Sequence, residues 1–139
     1  MKIIYTLLTF SCLLFACQSN KKNPADTAYT SIKKENLVEF KNGIYTEWYP
    51  GKKNKKFEGP KDENYQRNGK WIFYSEKGDE QSITYYTNGL KDGFTMVKYP
   101  SGRMHYRGEY KNDKIVGLWS TYDESGKITN EKDYGYKGK

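Results

Sequence analysis

The sequence predicts an all-β fold, made of consecutive antiparallel β-hairpin repeats that form an elongated meander sheet. Three observations predict it. Glycines recur every 24 residues, and each is followed by a short run rich in β-branched and aromatic residues. Turn-forming residues separate these runs, and no window shows the 3.6-residue period of an amphipathic helix. Because one such unit cannot bury its own face, several stacked units are needed for stability.

Three series of residues carry the repeat, and they share one 24-residue register. The series are Gly69, Gly93 and Gly117; Gly78, Gly102 and Gly126; and Tyr86, Tyr110 and Tyr134. Two units also place Trp two residues and Tyr five residues after the first glycine, as Trp71 with Tyr74 and Trp119 with Tyr122. Three series in one register indicate a true structural repeat.

The elements follow in order along the chain. A partial unit ends near Asn42, because residues 39–42 parallel residues 109–112. A looser unit begins at Gly43, and its Trp48-Tyr49-Pro50-Gly51 parallels the turn at residues 99–102. Three regular units then follow. The chain from about residue 37 to residue 136 is therefore predicted to be four units with half a unit in front.

Each unit is predicted to be one hairpin. Residues 70–74 and 118–122 are rich in strand-forming residues, and the glycine series 78, 102 and 126 supplies turns that need a positive φ. Asn88-Gly89 and residues 111–113 are predicted as turns between units. In the second strands, alternation predicts that four charged residues share one solvated face: Arg107, Glu109, Glu131 and Asp133.

The composition gives two conflicting signals about order. The chain has 139 residues and a formal net charge of +7, from 24 Lys+Arg and 17 Asp+Glu. Residues 17–139 contain 12 Ile, Leu and Val but 20 aromatics. Few aliphatics with high charge are typical of disorder, whereas disordered chains are poor in aromatics. The repeat favours order over disorder, because a hairpin sheet can bury aromatic side chains on one face in place of aliphatic ones.

The N-terminus has the pattern of a secretory signal. Met1-Lys2 precedes an uncharged apolar run over residues 3–15, too short to cross a membrane as a mature helix. The run ends in Leu14-Phe15-Ala16-Cys17, which resembles the lipobox of bacterial lipoproteins, with Phe15 bulkier than usual. The alternative is an ordinary signal peptide with an incidental cysteine.

This resemblance implies a signal peptide over residues 1–16 and a lipid anchor on Cys17, which attaches the protein to the membrane. Residues 17–36 are then a flexible tether, and residues 37–139 are the repeat domain. The implied location is the cell envelope, and the outer membrane if the organism has one. Cys12 leaves with the signal and Cys17 is acylated, so the mature domain has no disulfide.

The repeat resembles the bacterial MORN-type variant of the YwqK family. That pattern is Asn-Gly-Lys-x-x-Gly-x-Trp-x-x-Tyr-x-x-x-Gly, followed about eight residues later by Tyr. Residues 69–78 and 117–126 fit it, whereas Gly93-Phe94 departs, with Thr95 at the Trp position. The resemblance implies the hairpin-repeat fold. The family is often labelled antitoxin-like or membrane-associated, so an envelope immunity protein is one expectation.

The sequence shows no catalytic constellation. His105 is the only histidine, so a metal site would lack partners. No cysteine is left as a nucleophile, and the glycines lack a phosphate-binding spacing. We therefore expect no enzyme activity, no metal and no cofactor.

Binding is the better expectation, and a protein partner held by the sheet face or its edge is the leading hypothesis. The alternative is an envelope glycan or an anionic lipid surface, bound by basic residues and nearby aromatics. These candidate residues are Lys52, Lys53, Lys55 and Lys56 with Trp48, Tyr49 and Phe57. A solubilising charged loop would give the same pattern. Interleaved basic and aromatic residues also suit single-stranded nucleic acid, but an envelope location argues against that ligand.

Overall fold

The computed structural model describes residues 35–136, and within them the chain forms one sheet of nine strands. Each strand pairs antiparallel with its neighbour in sequence, so the sheet is an open meander. The described residues contain no helix. The prediction of an all-β hairpin-repeat sheet is confirmed. The strands are β1 Val38–Lys41, β2 Ile44–Trp48, β3 Lys55–Pro60, β4 Gly69–Tyr74, β5 Glu80–Thr87, β6 Leu90–Lys98, β7 Met104–Lys111, β8 Lys114–Tyr122 and β9 Ile128–Asp133.

The four hairpins β2–β3, β4–β5, β6–β7 and β8–β9 follow the half unit β1. In three of them the turn closes through glycines with φ of 95°, 85° and 91°, at Gly78, Gly102 and Gly126. The N–H of Gly78 donates to the carbonyl of Ser75 at 2.9 Å, and the strand register shifts beside the turn. This is a type I turn followed by a left-handed glycine, which gives the hairpin a bulge. We call these turns, with the one at Gly51, the tip turns.

The connections between hairpins lie at the other end of the strands. Three are two-residue turns in which both central residues have positive φ, as in type I′ turns. They are Asn42-Gly43, Asn88-Gly89 and Asn112-Asp113. The connection between β3 and β4 is different, because it spans residues 61–68 and contains Tyr65 at φ 59°. One unit boundary therefore breaks the repeat.

Strand pairing divides the side chains between two faces, since directly paired residues point to the same side. We call one the aromatic face, and its central row crosses eight strands. The row is Tyr45, Gly59, Trp71, Thr84, Thr95, Gly108, Trp119 and Lys132. We call the other the opposite face, and it carries Tyr85, Phe94, Arg107, Glu109, Leu118, Glu131 and Asp133. The four charged residues predicted to share a face therefore do so, but large apolar side chains share it with them.

The core of this single-layer sheet is small and mostly aromatic. Trp71 is 0% exposed and Tyr86 is 8% exposed. On the neighbouring strands β5 and β6, Thr84 and Thr95 are both buried, and their hydroxyls lie 2.8 Å apart in a hydrogen bond. Phe57 packs on Phe73 at 5.7 Å between ring centroids. Aromatic contacts across strands thus replace the aliphatic core that the composition lacks.

Candidate binding surfaces

The predicted basic cluster lies around the first tip turn, and only two of its four lysines form ion pairs within the sheet. Lys52 and Lys53 are exposed in the turn. Lys55 pairs with Glu58 at 2.6 Å, and Lys56 pairs with Glu47 at 2.9 Å. Two of the four charges are therefore already compensated within the sheet. A ligand would meet Lys52 and Lys53 as its main cationic contacts here.

The three aromatics predicted beside this cluster are held in different contacts. The hydroxyl of Tyr49 donates to the carbonyl of Tyr74 at 3.0 Å, which ties the first hairpin to the second. Phe57 lies on the aromatic face, 6.0 Å from the ring of Trp71. Trp48 is half-buried, and its buried indole nitrogen has no hydrogen-bond partner among the described residues. The structure therefore does not gather these rings into one exposed platform.

Glu58 links the basic cluster of the first hairpin to the second hairpin. It accepts hydrogen bonds from Lys55 Nζ at 2.6 Å and from the hydroxyl of Tyr74 at 2.7 Å. Partial burial would raise the pKa of Glu58, but these two hydrogen bonds outweigh it and lower the pKa below its ordinary value. For Tyr74, burial and the Glu58 carboxylate both raise the pKa of the phenol.

The two repeat tryptophans occupy equivalent sites, each above a glycine of the preceding hairpin. A Cβ atom built on Gly59 would lie 2.5 Å from Trp71 Cγ, and one built on Gly108 would collide with the ring of Trp119. Each indole N–H donates to the carbonyl just after that glycine, Pro60 at 2.9 Å or Glu109 at 3.1 Å. The 24-residue series misses these glycines, because the contact repeats only in every second unit. The parallel between residues 57–59 and 106–108 was the sequence signal for it.

The tyrosine series is buried to very different extents along the sheet. Tyr86 is buried, Tyr110 is half-buried against Trp119 at 5.1 Å, and Tyr134 is 39% exposed. Every residue of the last strand is exposed. Burial therefore declines toward the β9 edge, where no further described unit covers the series.

Cations cover the rings of the aromatic face. Lys61 Nζ lies 4.1 Å from the ring centroid of Tyr45, and the guanidinium of Arg67 lies 4.6 Å from that of Trp71. Lys91 lies 4.8 Å from Tyr110. Such contacts contribute about 0.5–2 kcal/mol each. The aromatic face is thus a cationic surface as well as the core of the sheet.

The opposite face carries apolar side chains that nothing in the described chain covers. Tyr85 is 39% exposed, Phe94 is 40% exposed and Leu118 is 54% exposed. Phe94 and Leu118 line a shallow groove with Arg107 and Glu109. Exposed apolar residues that are grouped and rimmed by charge mark interaction surfaces.

The remaining candidate groups for chemistry are dispersed. His105 packs against Tyr99 at 4.3 Å between ring centroids and makes an edge contact with Tyr106 at 5.3 Å. Between residues 35 and 136, no three His, Cys, Asp or Glu side chains form a group that could hold a metal ion. The same part of the chain has no helix long and apolar enough to cross a membrane.

The fold and these surfaces define a β-hairpin repeat protein with an open single-layer sheet. Comparison with models of known families, with curated proteins and with solved structures gave no match. The resemblance to the MORN-type variant therefore stays an expectation from the sequence motif.

Proposed function

We propose that the protein is a non-catalytic binding module of the cell envelope, anchored through lipid on Cys17, which holds a partner protein on the opposite face of its sheet. Cys17, the signal peptide and most of the tether lie outside residues 35–136, so the lipobox pattern alone supports the anchor. The binding part of the proposal is supported by the exposed side chains of that face.

One observation carries the proposal: Tyr85, Phe94 and Leu118 stand exposed on the opposite face beside charged residues. Protein interfaces combine an apolar, often aromatic centre with a polar rim. Arg107 and Glu109 lie between Phe94 and Leu118 in the sheet and supply polar groups beside the apolar side chains. A partner that offers an apolar ridge flanked by charges of either sign suits this surface.

The β9 edge of the sheet is a weaker candidate than the face. The exposed strand β9 ends in three consecutive charged residues, Glu131, Lys132 and Asp133. Charged side chains on an edge strand discourage the pairing of another chain. The face therefore offers a partner more apolar contact than this edge does.

A pull-down from envelope extract with the full chain tests the proposal, provided that variants of the face are compared. We expect a stoichiometric protein partner that Leu118→Lys and Phe94→Lys no longer retain. Ile115→Lys is the matched control, because Ile115 is 41% exposed and pairs with Tyr110 on the aromatic face. A partner lost with Ile115→Lys but kept by Leu118→Lys would assign binding to the aromatic face and contradict the proposal.

The anchor has its own test, which is independent of the partner. Cys17→Ser removes the thiol that would carry the lipid. We expect this variant to leave the membrane fraction, whereas the original chain stays in it. Membrane attachment that survives Cys17→Ser would refute the lipid anchor.

A further inference from the structure

The connection between β3 and β4 departs from the repeat in length, backbone conformation and charge. The other unit boundaries among the described residues are two-residue turns, but this one spans residues 61–68. In repeat proteins, insertions between units map to loops that often form the binding surface. The loop therefore adds residues to the sheet that the repeat itself does not require.

Two cations face each other at the base of this loop. Lys61 and Arg67 are paired as an antiparallel bridge, and both lie over rings of the aromatic face. The rings beneath them, Tyr45 and Trp71, are 6.0 Å apart. Like charges directly opposite each other destabilise a sheet. Neither cation has an ion-pair partner within 4.0 Å among the described residues. Arg67 Nη1 donates one hydrogen bond to the Tyr86 hydroxyl at 3.3 Å, so the other N–H groups of Arg67 and the Lys61 ammonium can bind an anion from outside.

The acidic residues of the loop do not neutralise this pair. One carboxylate oxygen of Asp62 accepts the backbone N–H groups of Asn64 and Gln66, each at 2.9 Å, and thereby folds the loop. Its other oxygen is buried and has no hydrogen-bond partner among the described residues. Glu63 is exposed and forms no ion pair within 4.0 Å among the described residues. The loop acids therefore shape the connection but leave the two cations available.

Two exposed aromatic rings stand beside the cation pair. Tyr65 is 69% exposed and Phe40 is 50% exposed, with 5.8 Å between their ring centroids. Tyr65 holds a φ of 59°, a backbone conformation that is strained for a bulky residue. Strain of this kind accumulates at ligand-binding sites, where the loop must present a side chain in one orientation. Here it presents a ring to solvent.

We propose that Lys61, Arg67, Tyr65 and Phe40 form a binding site for an acidic saccharide. The rings would stack on the apolar faces of sugar rings, and the two cations would bind carboxylate or phosphate groups on the chain. An anion between Lys61 and Arg67 also removes their mutual repulsion. This site is separate from the protein-binding face, so the failure of either proposal leaves the other standing.

The combination favours a saccharide over the other anionic ligands. An acidic peptide needs the cations but not a pair of exposed rings. A lipid surface favours basic residues spread over a plane, whereas this site concentrates two cations beside two rings. The stacking platform is therefore the feature that separates these ligands.

Calorimetric titration of the full chain with an oligogalacturonate tests the proposal, with a neutral maltooligosaccharide of equal length beside it. We expect binding of the acidic sugar, weakened by added salt, and none of the neutral sugar. Lys61→Gln removes one charge and should weaken binding by about tenfold. Lys127→Gln is the matched control, an exposed lysine in the Gly126 tip turn at the other end of the strands, and should change binding by less than about twofold.

A second variant tests the platform. Tyr65→Asn removes the ring but keeps a residue that tolerates positive φ, so the loop can keep its backbone. We expect about tenfold weaker binding of oligogalacturonate, comparable with the loss of one base–aromatic stacking contact. Arg67 is unsuited to this test, because it covers Trp71 and its loss would expose the core.

Several results would overturn the proposal. These are no binding of oligogalacturonate, an equal loss with Lys127→Gln, or binding that Tyr65→Asn leaves unchanged. Polyglutamate that binds as tightly as the sugar would show that charge alone is recognised. Vesicles containing phosphatidylglycerol that bind more tightly than the sugar, without dependence on Tyr65, would assign the cations to a lipid surface instead.

Discussion

The indole ring of Trp71 lies so close over Gly59 that a Cβ atom at position 59 would be 2.5 Å from the ring. Trp119 covers Gly108 in the same way one pair of hairpins later. The glycine of one hairpin thus makes room for the tryptophan of the next. The contact joins neighbouring units, so it stabilises the array rather than a single hairpin.

The first prediction concerns that contact. Gly59→Ala should lower the free energy of unfolding by about 1–3 kcal/mol, because the new methyl group overlaps the indole ring. Gly59 lies outside the positive φ region, so backbone strain adds nothing to this cost. Urea denaturation measures the change. In a Trp71→Ala background the cost of Gly59→Ala should nearly vanish, and a double-mutant cycle showing no coupling would contradict the contact.

The second prediction compares the two tryptophans. Trp71→Ala should cost about 3–5 kcal/mol, the range for a large aromatic removed from a core, because Trp71 has no exposed surface. Trp119→Ala should cost less, since Trp119 is only half-buried and stands next to the exposed edge strand β9. Chemical denaturation of both variants decides the order. Equal losses, or a larger loss for Trp119→Ala, would contradict this gradient of burial along the sheet.

The third prediction isolates backbone conformation at a tip turn. Gly126 has a φ of 91°, and a Cβ atom placed on it would touch nothing within 4 Å. Gly126→Val should therefore destabilise the protein by about 1–3 kcal/mol through the positive φ alone. Gly126→Asn should cost clearly less, since Asn tolerates the left-handed region better. Equal melting temperatures for the two variants would argue against a conformational cause.

The fourth prediction follows from the lowered pKa of Glu58. A carboxyl group whose pKa is lower in the folded state stabilises the fold above its unfolded pKa, and this stability is lost as the pH falls through the folded pKa. Glu58→Gln should therefore be less stable than the original chain at neutral pH. The difference between them should shrink as the pH falls below about 4.5, the ordinary value for this group.

Denaturation curves at several pH values measure this difference, with Glu124→Gln as the control. Glu124 is exposed in a tip turn, so its variant should follow the original chain at every pH. A difference for Glu58→Gln that stays constant down to pH 3 would show that the carboxylate is not the cause.

The turns and strands could be predicted because their signals are local. A glycine at the end of a tip turn and an Asn-Gly pair between units each specify a backbone conformation from a few neighbouring residues. The surfaces could not be predicted in this way. The sequence alone suggests that Lys55 and Lys56 are free charges beside Lys52. Lys55 instead pairs with Glu58 three residues along the same strand, and Lys56 pairs with Glu47 of the neighbouring strand, a contact that depends on strand register. No pattern in the sequence indicates that Lys61 and Arg67 are neighbours, because their pairing depends on how the loop between them folds.

The sequence by itself determined the class of fold, the number of hairpins and the positions of most turns, because each rests on short-range backbone preferences repeated in one register. Only the tertiary structure decided which side chains are buried and which are offered to a ligand. Burial of Tyr86 and exposure of Tyr134 come from equivalent positions in the repeat, so local sequence cannot separate them. The neighbouring strands make the difference, since a side chain in a single-layer sheet is buried only where an adjacent unit covers it.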